Sequence, residues 1–537
     1  MSSKINKLIL IFAFAILPLL VSYRLIRPGY YSMQDDMHVF RLQQLDLCLK
    51  DGQIPCRHIT DGGFGYGYPL YNYYSPLPYA VAETIHLFGF SYIDSLKITF
   101  IIPNFSRSIG MYLLGSSFFG PLGGLLSSTL YTMAPYQAVN SFVRGALAEH
   151  WALSLLPLIF WSLYSSKYNL FIIFLSALFL SHNLTTLYAF PVIFVFAFLI
   201  KKVKPFIKSS FFAILISSFF LLPAIFEKNL VTVNTMTQGY FYYIIHFATL
   251  TQLFVSRFWG YGASLWGPKD DMSFQIGYLQ WLIPFVIGAY QILHKKYKYR
   301  TIILSFITIG IFAIFLTHNK STFIWQTLPF MPFYQFPWRF LGLVIFCFSF
   351  VSGALVNIVP KSKIKVIYIL IILTVILNIQ FFKEDIWYPH MTDDQKLTTA
   401  EVYRQSGAGL KDYWPSGTKD FPTVMASQLP TIQGGAASVT NFYKQSNFIS
   451  GQVKVTSGSA EAVLPVTYFP SWDLTVNGKP QKYDIDPLYG QITVPVKYGI
   501  NNFSLRFKNT PIRSFANLLS IIGLSLYIIK LSREKHL

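Results

Sequence analysis

The stretch of sequence on which the fold depends is Ser32–Tyr79. It begins SMQDDMHVFRLQQLDLCLKDGQIPCRH and ends GFGYGYPLYNYYSPLPY, and it follows the first apolar segment, at about 8–23. Two adjacent carboxylates, Asp35 and Asp36, stand near its start, and a loop rich in tyrosine, glycine and proline, Phe64–Tyr79, closes it. A polar stretch of this length after an apolar segment predicts that the chain leaves the membrane here and returns to it after the loop.

The composition is that of a membrane protein. The 537 residues are 53% hydrophobic, 18% aromatic and only 12% charged, whereas soluble domains carry roughly 25% charged residues. Apolar residues gather in segments of roughly 17–22, the length that a helix needs to cross hydrocarbon. We therefore predict a polytopic α-helical membrane protein with about twelve spans. The expected spans are 8–23, 95–115, 121–138, 148–164, 169–186, 187–200, 206–226, 276–293, 301–317, 338–358, 364–381 and 513–531.

The net charge of +20 does not indicate a nucleic-acid partner. The basic residues sit in short connections, Lys201–Lys204, Lys295–Arg300 and Lys361–Lys365, and in the C-terminal tail. Lys and Arg concentrate in the cytoplasmic loops of membrane proteins, and these connections fall on one side of an alternating topology. We expect a multi-pass cell-membrane protein with both termini in the cytoplasm, long connections outside, and membrane lipids around it.

The long connection 382–512 is large enough for a small domain. Its later part alternates apolar and polar residues as strands do, and Asn477-Gly478 is a strong hairpin signal. We predict an extracytoplasmic β-sandwich there, held between the last two spans. The expected organisation is a membrane domain over 1–381 with outer loops 24–94 and 227–275, the β domain over 382–512, and a final helix with a cytoplasmic tail over 513–537.

Unusual polar residues mark one end of the predicted spans. Ionisable groups at membrane depth are costly and therefore point to function. Asn104 and Arg107 lie deep within a span, whereas the others stand at outer ends, and the inner ends carry little beyond lysines. This asymmetry predicts one site on the outer face, partly sunk into the bilayer. The outer-end residues are Asp35, Asp36, Arg144, Glu149, His182, Asn183, Gln335, Trp338 and Arg339.

The residue types at this face suit a lipid-linked sugar. A carboxylate serves as a general base or holds a divalent cation, guanidinium groups bind phosphate oxygens in pairs, and aromatic rings cover the apolar faces of sugars. We expect Asp36 or Asp35 as the catalytic carboxylate, which would also hold Mg²⁺ or Mn²⁺ if a cation is used, and Arg144 and Arg339 on the donor phosphate. The expected supporting residues are His38, Arg41, Glu149, His182 and Asn183, and the expected substrate-contacting aromatic residues are Tyr68, Tyr71, Tyr74 and Trp338.

Each of these features also has a structural interpretation. Asp35 is a candidate N-cap for a helix that starts at Asp36. The apolar stripes of that helix suit the membrane surface, and its helical wheel does not decide which aspartate faces the site. The tyrosine loop is equally an interfacial aromatic belt. His182 is equally a satisfied helix-end residue, and Arg144 and Glu149 are equally a simple ion pair.

Two of the three cysteines belong to the same outer connection. Cys48 and Cys56 are eight residues apart, while Cys347 lies in a predicted span. A Cys48–Cys56 disulfide is chemically reasonable in an oxidising compartment, and it would pin the loop that carries the aspartates. No His or Cys spacing in the sequence predicts a metal site.

Taken as a set, several motifs resemble a group of bacterial membrane proteins labelled as carrying a 6-pyruvoyl-tetrahydropterin-synthase-related membrane domain. The motifs are DDMHVFRL, CLKDGQIPCRH, GYGYPLYNYYSPLPYA, APYQAVNSFVRGALAEHWAL, SHNLT and FPWRF. They cover about 30–345, and FPSWDLTVNGKP with ITVPVKYGINNFSLRF is similar to the C-terminal region of YfhO-like proteins. That group is similar to glycosyltransferases of the GT-C fold, which are multispan enzymes with an acidic residue or pair in the first outer loop and a polyprenyl-phosphate-linked donor. The resemblance implies a GT-C-like fold with Asp35-Asp36 at the acidic position, and it implies no acceptor.

Three functions are compatible with these features. The first is an inverting hexosyl- or pentosyltransferase of the cell envelope, which moves a sugar from a polyprenyl phosphate to an extracytoplasmic glycan, lipid or protein. The second is a transporter or flippase for a lipid-linked glycan, although transporters usually bind substrate near the midplane between repeated halves, and no matching halves are evident in the sequence. The third is a non-catalytic membrane protein whose β domain binds glycan. We favour the first, because the polar residues cluster at the outer face.

Overall fold

The apolar segments of the sequence fold as helices, since a helix satisfies its own backbone polar groups where no water is present. The computed structural model describes residues 3–265, 271–294 and 297–535. The α-helices of these ranges are α1 (Ser3–Ile11), α2 (Leu17–Ser22), α3 (His38–Lys50), α4 (Leu70–Tyr73), α5 (Leu77–Leu87), α6 (Tyr92–Thr132), α7 (Pro135–Ala138), α8 (Leu147–Tyr164), α9 (Tyr168–Phe179), α10 (Asn183–Leu199), α11 (Val203–Phe226), α12 (Leu250–Phe254), α13 (Tyr278–Leu293), α14 (Arg300–Thr317), α15 (Thr322–Thr327), α16 (Leu341–Ser352), α17 (Leu355–Ile358), α18 (Lys365–Asn378), α19 (Asp393–Lys396), α20 (Thr399–Gly407), α21 (Leu410–Tyr413) and α22 (Pro511–Lys535).

Within the described ranges, seven helical stretches are long and apolar enough to cross a membrane. Three shorter apolar helices, α9, α10 and α13, accompany them. The structure thus agrees with a multi-pass helical membrane protein, while the number of twelve spans stays a prediction. The seven stretches are Lys7–Ile26, Tyr92–Thr132, Val203–Phe226, Arg300–Thr317, Pro337–Ile358, Lys361–Phe381 and Pro511–Glu534.

The long element α6 turns back on itself at Gly120. This glycine has a φ of +79°, which interrupts the helix just before Pro121. Glycine adopts a positive φ without steric penalty, and proline tolerates the first position of a helix because its N–H is not needed there. The Oγ atoms of Ser108 and Ser128, which lie on either side of the turn, are 3.1 Å apart. The two halves of α6 therefore pack side by side.

The helix that follows the adjacent aspartates, α3, packs inside the protein. Its N-cap position is occupied by Met37, so the N-cap interpretation of Asp35 is wrong. Phe40 and Leu42 point to opposite faces of α3, since residues two positions apart on a helix are about 200° apart around its axis, yet both are buried. The expectation of a helix on the membrane surface is therefore also wrong. The connection after α18 covers α3, as the bond from the Phe40 N–H to Gln405 Oε1 shows (3.3 Å).

A single curled sheet takes the place of the predicted β-sandwich. In the described residues, β3–β9 form one seven-stranded antiparallel sheet. The 20-residue strand β4 pairs with β9 along its first part and with β8 along its last part, and β3 pairs along its other edge. Because β4 pairs with both β9 and β8, strands that would form two separate sheets in a sandwich belong to one sheet. The strands are β1 (Tyr30–Tyr31), β2 (Trp387–Tyr388), β3 (Thr431–Lys444), β4 (Phe448–Thr467), β5 (Trp472–Val476), β6 (Lys479–Pro480), β7 (Asp484–Ile485), β8 (Gln491–Val496) and β9 (Gly499–Phe507).

The predicted hairpin at Asn477-Gly478 is confirmed. Both residues have positive φ, and they join β5 to β6 with Val476 paired to Lys479. A two-residue turn of this geometry matches the twist of antiparallel strands.

The 382–512 segment packs against the first long connection of the chain. Strand β1 pairs with β2, with Tyr30 opposite Tyr388. Further along, the Ser446 N–H donates a hydrogen bond of 2.7 Å to Asp51 Oδ2. The segment therefore adds to any site formed by the loop that carries Asp35 and Asp36.

Candidate functional site

A cavity of about 550 Å³ lies at the end of the helix bundle where α8 and α10 begin and α11 ends. The loop before α3, the connection after α11, the segment directly before α16 and helix α21 contribute further parts of its wall. Arg144, Glu149, His182 and Arg339, which the sequence predicts for one site, all line this cavity together with Asp35. Further lining residues include Arg41, Tyr73, Tyr74, Asn183, Trp338, Asp412 and Tyr413.

The loop with the two aspartates is tied to the turn before α8. The Asp35 N–H donates to Arg144 O (2.8 Å), and the neighbouring Gln34 N–H donates to Val143 O (3.0 Å). The turn closes at Gly145, whose φ is +65° and where a Cβ atom would lie 2.3 Å from Met33 Sδ. Glycine is needed here for both conformation and space. These contacts hold Asp35 next to Arg144.

Arg144 follows a π-helical turn, Val139–Val143, which precedes α8. Such turns often occur at functional sites because they redirect one side chain. Its Nη1 donates to Asn140 Oδ1 (2.5 Å) and to Glu149 Oε2 (2.7 Å). Its guanidinium also stacks 4.6 Å above the Trp338 ring. Among the described residues, the Arg144 side chain donates hydrogen bonds only through Nη1, so its Nε and Nη2 groups remain available to a ligand in the cavity.

Arg339 approaches the same carboxylate from a 3₁₀ turn, Pro337–Phe340, directly before α16. Its Nη1 donates to Tyr334 O (2.8 Å) and Gln335 Oε1 (2.9 Å), and its Nε lies 3.8 Å from Glu149 Oε2. In the part of the chain that is described, the buried Nε has no hydrogen-bond partner. Glu149 thus stands between two arginines, and the three side chains carry a net charge of +1.

Two helix N-termini reinforce this positive character. Residues of the first turns of α8 and α10 line the cavity. Helix N-termini carry unpaired N–H groups and a partial positive charge, and therefore favour anions. Together with the arginines they make this wall of the cavity suited to a phosphate.

His182 caps α10 and still faces the cavity. Its Nδ1 accepts from the Thr185 N–H (3.3 Å) and lies 2.7 Å from Thr185 Oγ1. An imidazole nitrogen that accepts a hydrogen bond leaves the proton on the other nitrogen, so Nε2 is the donor. The structural interpretation of His182 as a helix-end residue and its place on the cavity wall both hold. The neighbouring Asn183 donates to Tyr73 O (3.5 Å).

The two adjacent aspartates have different surroundings. Asp36 is not on the cavity wall; its Oδ2 accepts from Lys396 Nζ (2.6 Å) and Arg404 Nη2 (2.9 Å). Asp35 lines the cavity, and its carboxylate has no hydrogen-bond or ion-pair partner among the described residues. The choice that the helical wheel left open therefore falls on Asp35 as the group available to a ligand.

The other predicted residues divide between the wall and the core. Arg41 and Tyr74 line the cavity, as does Trp338. Tyr68 and Tyr71 are buried behind it, and the Tyr71 hydroxyl donates to Arg41 O (2.7 Å). Neither residue lines the cavity, because the tyrosine loop folds inward, and their contact with substrate stays a prediction.

His38 and the cysteine pair support the loop. The His38 imidazole is buried, 2.8 Å from the Tyr79 hydroxyl and 2.6 Å from Gly145 O. Burial lowers the pKa of His38, so the ring stays neutral. Cys48 and Cys56 form a disulfide at the end of α3. These groups fix the backbone around Asp35 without reaching the cavity.

Asp412 is the residue that the sequence prediction missed. It belongs to α21 and lines the cavity. Burial raises the pKa of its carboxyl to about 6; Arg41 opposes this shift and Asp35 adds to it. Local sequence contains no signal that joins Asp412 to the aspartates, since only the folding of the 382–512 segment onto the first connection brings them to one cavity.

A divalent cation has little support in the donor set. Among the described residues there is no group of three or more His, Cys, Asp and Glu side chains able to hold a metal ion. Asp35 and Asp412 are the carboxylates of the cavity wall without an ion-pair partner in the described ranges. The expected Mg²⁺ or Mn²⁺ would depend on these two and on ligands from the substrate.

The deep polar pair lies apart from the cavity. Arg107 Nη1 donates to Gln137 Oε1 (2.7 Å), and Asn104 Nδ2 donates to Ser22 Oγ (2.7 Å). Neither residue lines the cavity wall. Their hydrogen-bond partners belong to other helices, α7 and α2, so we infer that both residues stabilise the packing between helices.

No protein-family model and no curated protein sequence matches this chain. The resemblance to GT-C glycosyltransferases therefore stays a prediction, and function is inferred from the cavity.

Proposed function

We propose that this protein is a membrane glycosyltransferase that moves a sugar from a polyprenyl-phosphate carrier to an acceptor hydroxyl on the extracytoplasmic side. The observation that carries the proposal is that one cavity joins an unpaired carboxylate, Asp35, to two arginines at the ends of apolar helices. A lipid-linked sugar needs this combination, because its tail stays in the bilayer while its phosphate and sugar lie at the surface.

In this proposal the donor phosphate binds between Arg144 and Arg339. Both arginines use Nη1 for protein contacts, which leaves further N–H groups for phosphate oxygens. Glu149 keeps the two cations close together and leaves one net positive charge for the ligand. The N-termini of α8 and α10 add to the attraction. Charge-assisted hydrogen bonds of this kind are about twice as strong as neutral ones.

Asp35 acts as the general base. Its carboxylate takes the proton of the acceptor hydroxyl while the hydroxyl oxygen attacks the anomeric carbon. The bond between that carbon and the phosphate oxygen breaks, and its electron pair leaves with the polyprenyl phosphate. The arginines stabilise the charge that develops there. Attack from the side opposite the phosphate inverts the anomeric configuration.

The lipid tail leaves the cavity between α10 and α11. Leu184 and Ala224 of these helices line the cavity, together with Met236 and Phe333. Phe226, at the end of α11, is 67% exposed, as expected for a side chain that faces lipid. This apolar side is compatible with a carrier that enters from the membrane.

The test is transfer by the full-length protein in lipid nanodiscs. Polyprenyl-phosphate hexoses and pentoses serve as donors, and released polyprenyl phosphate is measured. We expect release by the wild-type protein and a rate at least 10²-fold lower for Asp35→Asn, the effect of losing a general base. Asp36→Asn is the matched control, because the Asp36 carboxylate binds Lys396 and Arg404 instead of facing the cavity.

Two outcomes would contradict the proposal. Equal rates for folded Asp35→Asn and wild type would exclude Asp35 as the base. The protein would instead be a transporter if no donor released polyprenyl phosphate and a labelled lipid-linked glycan moved across vesicle membranes that contain the protein.

A further inference from the structure

The wall of the cavity formed by α3, α4 and α21 has a chemistry that the donor phosphate does not use. The Arg41 guanidinium lies 4.3 Å from the centre of the Tyr74 ring. Tyr74 meets Tyr413 edge to face at 6.5 Å, and Tyr413 stacks on Tyr73 at 5.8 Å with nearly parallel rings. All four side chains line the cavity. They present aromatic surface with polar groups at its rim.

Asp412 adds an unpaired carboxylate to this wall. Its side chain has no hydrogen-bond or ion-pair partner within the described ranges of the chain. A Cβ atom placed on Gly409, which has a φ of +70°, would lie 3.3 Å from Arg41 Nη2 and 3.5 Å from Asp412 Oδ2. The guanidinium and the carboxylate therefore face the same small space without forming an ion pair. A glycine at this position keeps the space open.

The position of Asp412 is fixed by the backbone around it. Lys411 O accepts from Thr232 Oγ1 (2.8 Å) and from Thr235 Oγ1 (2.7 Å). The Thr232 N–H donates to Trp414 O (2.9 Å), and Trp414 is fully buried. Because these contacts hold Lys411 and Trp414, on either side of Asp412, the Asp412 side chain faces the cavity without a rearrangement of the segment.

A neutral saccharide matches this set of groups. Adjacent sugar hydroxyls donate to the two oxygens of a carboxylate and accept from a guanidinium, and the C–H face of a sugar ring packs on an aromatic ring. A phosphate does not suit this wall, because the Asp412 carboxylate would repel it. A peptide or lipid hydroxyl would leave most of these polar groups without partners, which is unfavourable in a partly buried site.

We propose that Arg41, Tyr74, Asp412 and Tyr413 form a subsite for a neutral saccharide, and that the acceptor of the transfer reaction is a hydroxyl of this saccharide. Binding of a saccharide here is inferred from the geometry of the wall alone. Its role as the acceptor rests on the proposed function.

Binding is tested with the full-length protein in nanodiscs by saturation-transfer difference NMR. The probes are the methyl glycosides of glucose, galactose and mannose and the disaccharides maltose and cellobiose, with tetraethylene glycol as a ligand that lacks a ring of hydroxyls. We expect at least one saccharide to bind, and its dissociation constant to rise at least tenfold in Asp412→Asn and in Tyr413→Leu. Asp420→Asn and Tyr443→Leu are matched controls, because both residues are exposed members of the 382–512 segment that do not line the cavity.

Absence of binding for all five saccharides, or equal binding by Asp412→Asn and Asp420→Asn, would overturn the subsite. Binding to Asp412→Asn protein is interpreted only after its thermal midpoint is shown to match or exceed the wild-type value. Arg41→Lys gives a second measure, since lysine keeps the charge but loses the planar fork and is expected to weaken saccharide binding.

The acceptor role is separated from the proposed function by two rates. Hydrolysis of the donor without acceptor is expected to need Arg144 and Arg339. In Asp412→Asn, the rate of transfer to the saccharide is expected to fall at least tenfold more than the rate of hydrolysis. If Asp412→Asn lowers both rates equally, the subsite holds the donor sugar and the acceptor role is wrong. If saccharide binding depends on Asp412 but the protein catalyses neither donor hydrolysis nor transfer, the saccharide subsite is supported and the proposed transferase activity is wrong.

Discussion

Two groups of charged side chains face the same cavity, and they differ in whether they form ion pairs within the protein. At the helix ends, Glu149 accepts from Arg144 (2.7 Å) and lies 3.8 Å from Arg339. On the walls made by the connections, Asp35 and Asp412 have no such partners in the described part of the chain. The charges of the first group interact with one another, whereas the carboxylates of the second group remain available to a ligand.

This difference separates charges that hold the site together from charges that act on a ligand. A buried ion pair contributes little net stability, but removing one partner leaves the other charge buried and uncompensated. An unpaired carboxylate in a partly buried position lowers stability instead, and proteins tolerate such a loss where function needs the group. The two groups should therefore respond to mutation in opposite ways.

The largest expected effect is the loss of stability in Glu149→Gln. The change leaves Arg144 and Arg339 buried without a counter-charge, which costs about 3–5 kcal/mol in comparable pairs. We expect a sharp fall in the thermal midpoint and in the yield of monodisperse protein. Asp35→Asn removes the same charge from the other group and is expected to change the free energy of unfolding by no more than about 0.5 kcal/mol. If both variants were equally stable, the distinction between the two groups would be lost.

The next effect concerns the reaction rate. Asp35→Asn should lower kcat about 10²–10⁴-fold, the usual contribution of a general base, and should leave the KM for the donor unchanged. Initial rates measured over a range of donor concentrations separate the two constants. A higher KM at constant kcat would assign Asp35 to donor binding rather than to proton transfer.

Arg339→Lys sharpens the role of the helix-end group in phosphate binding. Lysine keeps the charge and loses the planar fork that binds two oxygens, so we expect the donor KM to rise about tenfold, equivalent to about 1.4 kcal/mol. Arg404→Lys is the control, since Arg404 binds Asp36 and does not line the cavity. The same KM in both variants would place the phosphate elsewhere.

The last effect, comparable in free energy to that of Arg339→Lys, is a gain of stability in Asp412→Asn that depends on pH. The pKa of Asp412 is raised from 3.8 to about 6 by burial, against the opposing charges of Arg41 and Arg339 and with a contribution from Asp35. A carboxyl with a raised pKa stabilises the fold fully below pH 3.8 and loses that contribution as the pH rises through 6. Asparagine stays neutral, so the variant should be about 1–2 kcal/mol more stable than wild type at pH 8 and equally stable at pH 4. Thermal unfolding at several pH values measures this difference, and a constant offset would contradict the account.

The helix-end group was predictable from sequence, and the connection group was only partly so. Arg144, Glu149, His182 and Arg339 each stand at the end of an apolar segment, and an alternating topology assigns all of these ends to one side. That inference needs only segment lengths and loop charges. It explains why these four residues, from the N-terminal ends of three helices, are expected in one site.

The choice between Asp35 and Asp36 needed three-dimensional contacts. A helical wheel assumes that both residues belong to the helix, but α3 begins at His38, and both aspartates precede it. Asp36 turns toward Lys396 and Arg404, which lie more than three hundred residues later in the chain. Contacts at such separations leave no local pattern in the sequence.

The 382–512 segment shows the same limit. Alternation and the Asn477-Gly478 turn predict strands and a hairpin correctly. They do not determine which strands pair, so the sequence predicts a sandwich where the structure has one curled sheet. Asp412 lies before these strands in a short helix without a periodic pattern. Its place on the cavity follows from Thr232 and Thr235, which hold the neighbouring backbone.

The most direct test of the central claim is a cryo-electron microscopy structure of the full-length protein in nanodiscs with a polyprenyl phosphonate sugar, a donor analogue that cannot be cleaved. We predict that the phosphonate oxygens lie within hydrogen-bond distance, about 3 Å, of Arg144 and Arg339, with the sugar beside Asp35 and the lipid tail between α10 and α11. A head group bound outside this cavity, or a phosphonate without contact to either arginine, would contradict the account.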